Sequence, residues 1–189
     1  VVLKVLKIFP NQFDHRSDLI MHKFAKEVLA WWYLKHPNIV PFVSADSITF
    51  PSPTMAMVSS WISQGDVLDY MAANSPASEF AISLLYDIIQ GLMYLHSENI
   101  VHGDLCGVST HRDCIHSTDT CPFLTDFGLA SLIDSETTTH GGSRCWMGSE
   151  LLLPHVYQPG LPFRRTLASD VWAFVCVCCE VCLAQYFFC

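Results

Sequence analysis

Basic residues are scarce. The 189 residues include 10 Lys and Arg against 18 Asp and Glu, a formal charge of -8 at neutral pH. A field of that sign repels phosphates, so nucleic acid and anionic membrane surfaces are not expected partners. The first residues carry neither a charged leader segment nor a small-residue cleavage site, so no signal peptide is expected. Internal repeats are absent, and the only low-complexity tract is Thr137-Thr138-Thr139. Disorder is excluded by what is abundant, because 51% of the residues are apolar and can supply a substantial core.

Cysteine is not scarce. There are 9, three between Cys106 and Cys121, five between Cys176 and Cys189, and Cys145 alone. An odd count in a chain of this length argues against a disulfide scaffold, and reduced thiols in a cytoplasmic setting are expected. One apolar stretch needs separate attention. Residues 171 to 189 hold only Glu180 and Gln185 as strongly polar side chains over nearly a bilayer span. A carboxylate near the middle would be costly in lipid, so a buried core helix is expected and no membrane partner.

Hydrophobic periodicity divides the chain into two regions. Val1 to Phe9 is a β-branched apolar run stopped by Pro10-Asn11 and reads as a strand. From Ser17 to about Lys35, Phe24, Val28, Trp31 and Leu34 recur at helical spacing, with Ser17 as N-cap and Pro37 as stop. Three short strands are expected next, at Ile39 to Val43, Ser47 to Phe50 and Thr54 to Ser59. After Gln64-Gly65 the pattern turns helical. Asp66 can cap a helix through Met71, and Ser78 to Ser97 carries a broad stripe of Ala81, Leu84, Leu85, Ile88, Leu92 and Leu95. Strands with one helix, followed mainly by helices, imply an α+β protein whose parts meet near residues 60 to 65.

Four ordered stretches then carry a resemblance. Val1-Val2-Leu3-Lys4, His102-Gly103-Asp104-Leu105, Asp126-Phe127-Gly128 and Gly148-Ser149-Glu150 resemble the protein-kinase signature set, with supporting phrases at His36-Pro37-Asn38-Ile39-Val40 and Tyr94-Leu95-His96-Ser97. The flavour is that of tyrosine-kinase-like serine/threonine kinases. This resemblance implies a bilobal kinase-like fold, with an incomplete small β lobe over 1 to 62, starting at the family's third strand, and a truncated helical large lobe over 63 to 189. It also implies ATP and magnesium as cofactors and a protein as substrate or partner.

Phosphoryl transfer asks a protein mainly for positioning and charge neutralisation. By resemblance, Lys4 holds the nucleotide phosphates and Glu27 holds Lys4. Asp126 binds magnesium, because a hard cation selects carboxylate oxygen. Asp104 takes or orients the substrate hydroxyl's proton. His111-Arg112-Asp113 spells the rival triplet, but the lead-in from Tyr94 through His102 favours Asp104. Ser60-Trp61-Ile62 corresponds to the adenine-gripping hinge, with Ser59 just before it. Thr166 to Trp172 resembles the start of the central buried helix, where Asp170 fastens the catalytic-loop backbone.

The departures are equally specific. No glycine-rich loop precedes Lys4. Cys106 stands where the family has a catalytic lysine and Ser109 where it has a metal-binding asparagine. Gly103 replaces the arginine that gathers a phosphorylated activation loop, Gly148-Ser149 replaces alanine-proline, and Val175 replaces a glycine. These changes imply impaired transfer, with a pseudokinase or non-catalytic interaction fragment as the alternative. The segment between Asp104 and Asp126 is long for the family. Its Cys106, His111, Cys114, His116 and Cys121 offer a structural zinc site as a rival reading, although no zinc signature has their spacing.

Overall fold

The structure, a computed structural model, describes residues 1–7, 16–46, 48–49, 54–61, 66–74, 78–107, 110–113, 121–132 and 141–183. The chain divides into two compact units. The first comprises Val1–Lys35 with Val40–Trp61, and the second His36–Ile39 with Ile62–Cys189.

The first unit is a three-stranded sheet and one helix. Strands β1 (Val2–Lys7), β2 (Phe42–Asp46) and β3 (Thr54–Ser59) are antiparallel in the order β1-β3-β2, with Lys4 opposite Met57. As the central strand, β3 buries Met55, Ala56 and Met57 in succession. Helix α1 (Arg16–Tyr33) buries Phe24, Glu27 and Trp31 on one face. Its N-terminus lies one residue before Ser17. The Trp31 indole donates to the Val40 carbonyl at 2.6 Å, and the Trp31 and Trp32 rings both meet Phe42.

The strand expected at Ile39 to Val43 instead begins at Phe42. Pro41 has no amide to give a ladder. Ile39 is already committed to an isolated parallel bridge with Leu124 of the second unit's own core. The strand expected at Ser47 to Phe50 is not formed at Ile48 and Thr49, which lie in a bend closed by Asp46 Oδ1 accepting from both amides at 2.8 and 3.0 Å. Ser47 and Phe50 lie outside the described residues.

The second unit is mainly helical. It contains α2 (Val67–Asn74), α3 (Ser78–Ser97), the paired strands β4 (Ile100–Val101) and β7 (Ser131–Leu132), the hairpin β5 (Thr110–Asp113) with β6 (Cys121–Leu124), the short α4 (Ser149–Leu152) and α5 (Pro154–Tyr157), and α6 (Leu167–Leu183). Asp66 caps α2, its carboxylate accepting from the Asp69 amide at 2.8 Å. Along α3 the expected stripe is realised at Ala81, Leu84, Ile88, Leu92 and Leu95, which are buried, while Leu85 is only half-buried. Each buried leucine contributes about 1.5–3 kcal/mol relative to exposure.

Helix α3 packs on α6 and β6. Gly91 allows close approach of this helix to the His36–Ile39 segment, because a Cβ there would lie 2.9 Å from the Asn38 carbonyl oxygen. That carbonyl accepts from the Leu124 amide at 2.8 Å, while the Asn38 side chain donates to the Pro122 carbonyl.

Of the 171 to 189 stretch, residues 171–183 belong to helix α6 (Leu167–Leu183). Helix α6 buries Ser169, Asp170, Ala173, Val177, Glu180 and Val181. Its start is fixed by a reciprocal pair in which the Thr166 amide donates to Ser169 Oγ and the Ser169 amide to Thr166 Oγ1. Among the described residues, no helix is long and apolar enough to cross a membrane.

Candidate active site

In the first unit, strand β1 and the buried face of α1 bring together Lys4 and Glu27. Lys4 Nζ lies 2.9 Å from Glu27 Oε1, with the lysine side chain 41% exposed and the glutamate 10%. A pair so open to solvent adds little stability, about 0–1 kcal/mol. Its value lies in pointing a cation from a strand while leaving that cation accessible. At the end of β3, Ser59 is buried, Ser60 is half-buried and donates its amide to the Pro41 carbonyl, and Trp61 is 63% exposed. Ile62 lies outside the described residues.

In the second unit, α6 organises the loop that follows β4. Asp170 is buried and accepts from the His102 amide at 2.8 Å and the Gly103 amide at 2.9 Å, with His96 Nε2 at 3.0 Å from the same carboxylate. The expected anchoring of the loop by Asp170 is therefore observed, and it explains how a buried charge is tolerated. His102, itself buried, pairs its ring with the Thr125 carbonyl at 3.0 Å and lies against Phe127.

These contacts set Asp104 half-exposed on a loop whose neighbours are fixed. Asp104 Oδ1 accepts from the Ser143 amide at 2.7 Å. Two residues on, Cys106 is buried and its sulfur lies 3.7 Å from the Ser143 hydroxyl, so a thiol fills the position with no charge to offer. Asp126 is exposed and left-handed, with φ 63° and ψ 62°, at the entry to the 127–129 turn. A non-glycine residue there costs about 1–2 kcal/mol. Phe127, fully buried, holds the turn in the core and opposes that cost. Strain kept at an exposed carboxylate is typical of functional positions.

Three residues that sequence reasoning did not assign to this region, Glu180, Trp146 and Arg165, complete it. The buried Glu180 of α6 accepts from the Gly107 amide at 3.2 Å and the Trp146 indole at 2.8 Å, tying the loop to the 144–146 turn. Burial pushes its carboxyl above the usual carboxylate range, the two hydrogen bonds oppose that, and Asp66 adds to it. Arg165 is also buried, just ahead of α6, and donates to the Gly141 carbonyl. Neither periodicity nor motif separated Arg165 from its solvated-looking neighbour Arg164, and Trp146 gave no signal beyond being aromatic.

Ser109 lies outside the described residues, as do Cys114 and His116 and the side chains of His111 and Cys121. Among the described residues, no group of three or more His, Cys, Asp and Glu is placed to hold a metal. The expectation of reduced thiols holds at Cys106, Cys176, Cys178, Cys179 and Cys182 and fails at Cys145, which is disulfide-bonded. Lys4 and Glu27 thus belong to the first unit, and Asp104, Cys106 and Asp126 to the second.

The family model for protein tyrosine and serine/threonine kinases matches residues 1–186. Among similar proteins, tyrosine-protein kinase Abl of Drosophila melanogaster is 28% identical over 166 residues, 84% of this chain and 9% of that protein. Serine/threonine/tyrosine-protein kinase HT1 of Arabidopsis thaliana is 28% identical over 186 residues, 96% of this chain and 44% of that protein. Dual specificity protein kinase zakA of Dictyostelium discoideum is 32% identical over 165 residues, 80% of this chain and 20% of that protein. The chain spans between 9% and 44% of the length of these relatives. The chain belongs to the protein tyrosine and serine/threonine kinase family, and its small antiparallel sheets and helices agree with that family's α+β fold.

Proposed function

We propose that this chain binds ATP with magnesium and transfers the terminal phosphoryl group, slowly, to a protein hydroxyl. The first unit is read as the small lobe and the second as the large lobe. The observation that carries the proposal is the Lys4–Glu27 ion pair at 2.9 Å, which presents an exposed cation on a strand for the nucleotide phosphates. Asp104, fixed by the Ser143 amide through one oxygen, keeps the other to orient the acceptor hydroxyl and take its proton.

The residues present fit magnesium. That ion is ordinarily held by one or two carboxylates together with substrate phosphates, and Asp126 supplies an exposed carboxylate. Bound there, with Ser109 as a proposed further oxygen donor, it would neutralise phosphate charge. Serine or threonine is the proposed acceptor class, and phosphoamino-acid analysis separates it from tyrosine, for which Abl is named.

A second reading, a binding module without transfer, is favoured by Cys106 and, from the sequence, by Ser109. A neutral buried thiol there cannot offset charge on a transferring group, and loss of one preorganised electrostatic group costs about 2.7–4 kcal/mol of transition-state stabilisation.

The test is thermal unfolding with ATP and magnesium. At 100 times its dissociation constant the ligand adds about 2.7 kcal/mol to the folded state. Wild-type protein is expected to show a magnesium-dependent rise in its midpoint and Lys4→Met to lose most of it. An equal rise in both would overturn the assignment of Lys4, and no rise in either would overturn ATP binding.

A further inference from the structure

Arg165 is the one large cationic side chain that the second unit buries among the described residues, at 1% exposure. A buried guanidinium needs several partners. Its Nη2 donates to the Gly141 carbonyl. Burial lowers its pKa from the ordinary value, and the carboxylates of Asp104 and Asp170 oppose that. The Phe163 ring lies 5.3 Å from its Cζ. Against its stem lies Gly103, at φ +80°, where a Cβ would come within 2.7 Å of Arg165 Cδ and 2.7 Å of the Leu129 carbonyl oxygen. Only glycine accommodates both that backbone conformation and the arginine stem.

We propose that Arg165 is a positioning residue: by holding the Gly141 carbonyl it sets the 141–147 backbone so that the Ser143 amide reaches Asp104, and the missing side chain at position 103 makes room for it. Gly141 stands two residues before Ser143, whose amide is 2.7 Å from Asp104 Oδ1, so the restraint at one is transmitted directly to the other. The device needs no modification of the chain, because its cation is built in and shielded from solvent. It rests on the reading of Asp104 as the base only for its catalytic consequence. The structural restraint stands by itself.

The test follows amide hydrogen exchange in the intact chain for wild type, Arg165→Gln and Arg165→Lys, together with kcat and KM for ATP. Arg165→Gln is expected to accelerate exchange across 142–147 while the amides of α3 stay protected. It should also lower kcat on the order of 100-fold, the usual consequence of a small misplacement, with KM for ATP little changed. Arg165→Lys keeps the charge without the fork and is expected to fold, with exchange between the two extremes. Unchanged exchange at 142–147 in both variants overturns the proposal. So does loss of protection in α3 as large as that at 142–147 in Arg165→Lys, which marks a core residue and nothing more. If wild type transfers no phosphate, the base assignment of Asp104 fails, and the exchange pattern still decides the role of Arg165.

Discussion

Replacing Asp170 by alanine should be among the most damaging single changes in the second unit. The carboxylate is buried and satisfies two backbone amides, His102 at 2.8 Å and Gly103 at 2.9 Å, and meets His96 at 3.0 Å. Alanine leaves the buried His102 amide and the part-buried Gly103 amide without that acceptor, and each such loss costs about 1–3 kcal/mol, so roughly 2–6 kcal/mol in total. That is a large share of the about 5–15 kcal/mol that holds a typical domain folded. Asp170→Asn should fall between, since one oxygen still accepts while the new NH2 group faces a donor. Urea unfolding reads the loss as a lower midpoint at unchanged slope. A change in Asp170→Ala below about 0.5 kcal/mol, the scale of an inert surface substitution, would refute the anchoring account.

Other expectations follow from neighbouring groups. The folded-state pKa of Glu180 is raised from its ordinary 4.5, with burial as the largest cause. A raised carboxyl binds its proton more tightly folded than unfolded, so its contribution is fully present below the unfolded pKa and is lost as pH rises through the folded one. Glu180→Gln keeps an acceptor for Gly107 and Trp146 and should flatten that part of the stability–pH curve; an unchanged curve would contradict the assignment. On the proposed assignment of Cys106 to the catalytic-lysine position, Cys106→Lys supplies the cation that position calls for. It should raise phosphotransfer by up to roughly 100-fold, measured as initial rate, and a fall in rate in a folded variant would count against the account of impairment.

Legibility of the fold followed local period. The α3 stripe was readable because it repeats one spacing over enough residues to exclude the other period, and strand Thr54–Ser59 because a short apolar run follows the turn residues Pro51-Ser52-Pro53. Ile39 and Val40 were not, since an apolar pair looks the same whether it pairs in a sheet or ties a loop to a core. Its fate was decided by Pro41 and by Leu124, far along the chain. At the candidate site, motif order singled out the carboxylates and the lysine, and the structure forms the Lys4–Glu27 pair and the Asp170 anchor among them. Arg165 and Trp146 were not, because their roles arise from contacts with Gly141 and Glu180 that no sequence spacing encodes. Gly103 showed the opposite limit. Its lack of a side chain was evident in the sequence, while the arginine stem that needs the space became visible only in three dimensions.

The most direct test of the central claim is transfer of label from γ-labelled ATP, with magnesium, to a protein substrate by wild type and by Asp104→Asn. Slow labelling by wild type that is abolished in the folded Asp104→Asn variant is the predicted result. Labelling that is equal in the two, or absent from wild type, would contradict it and leave a binding module as the better account.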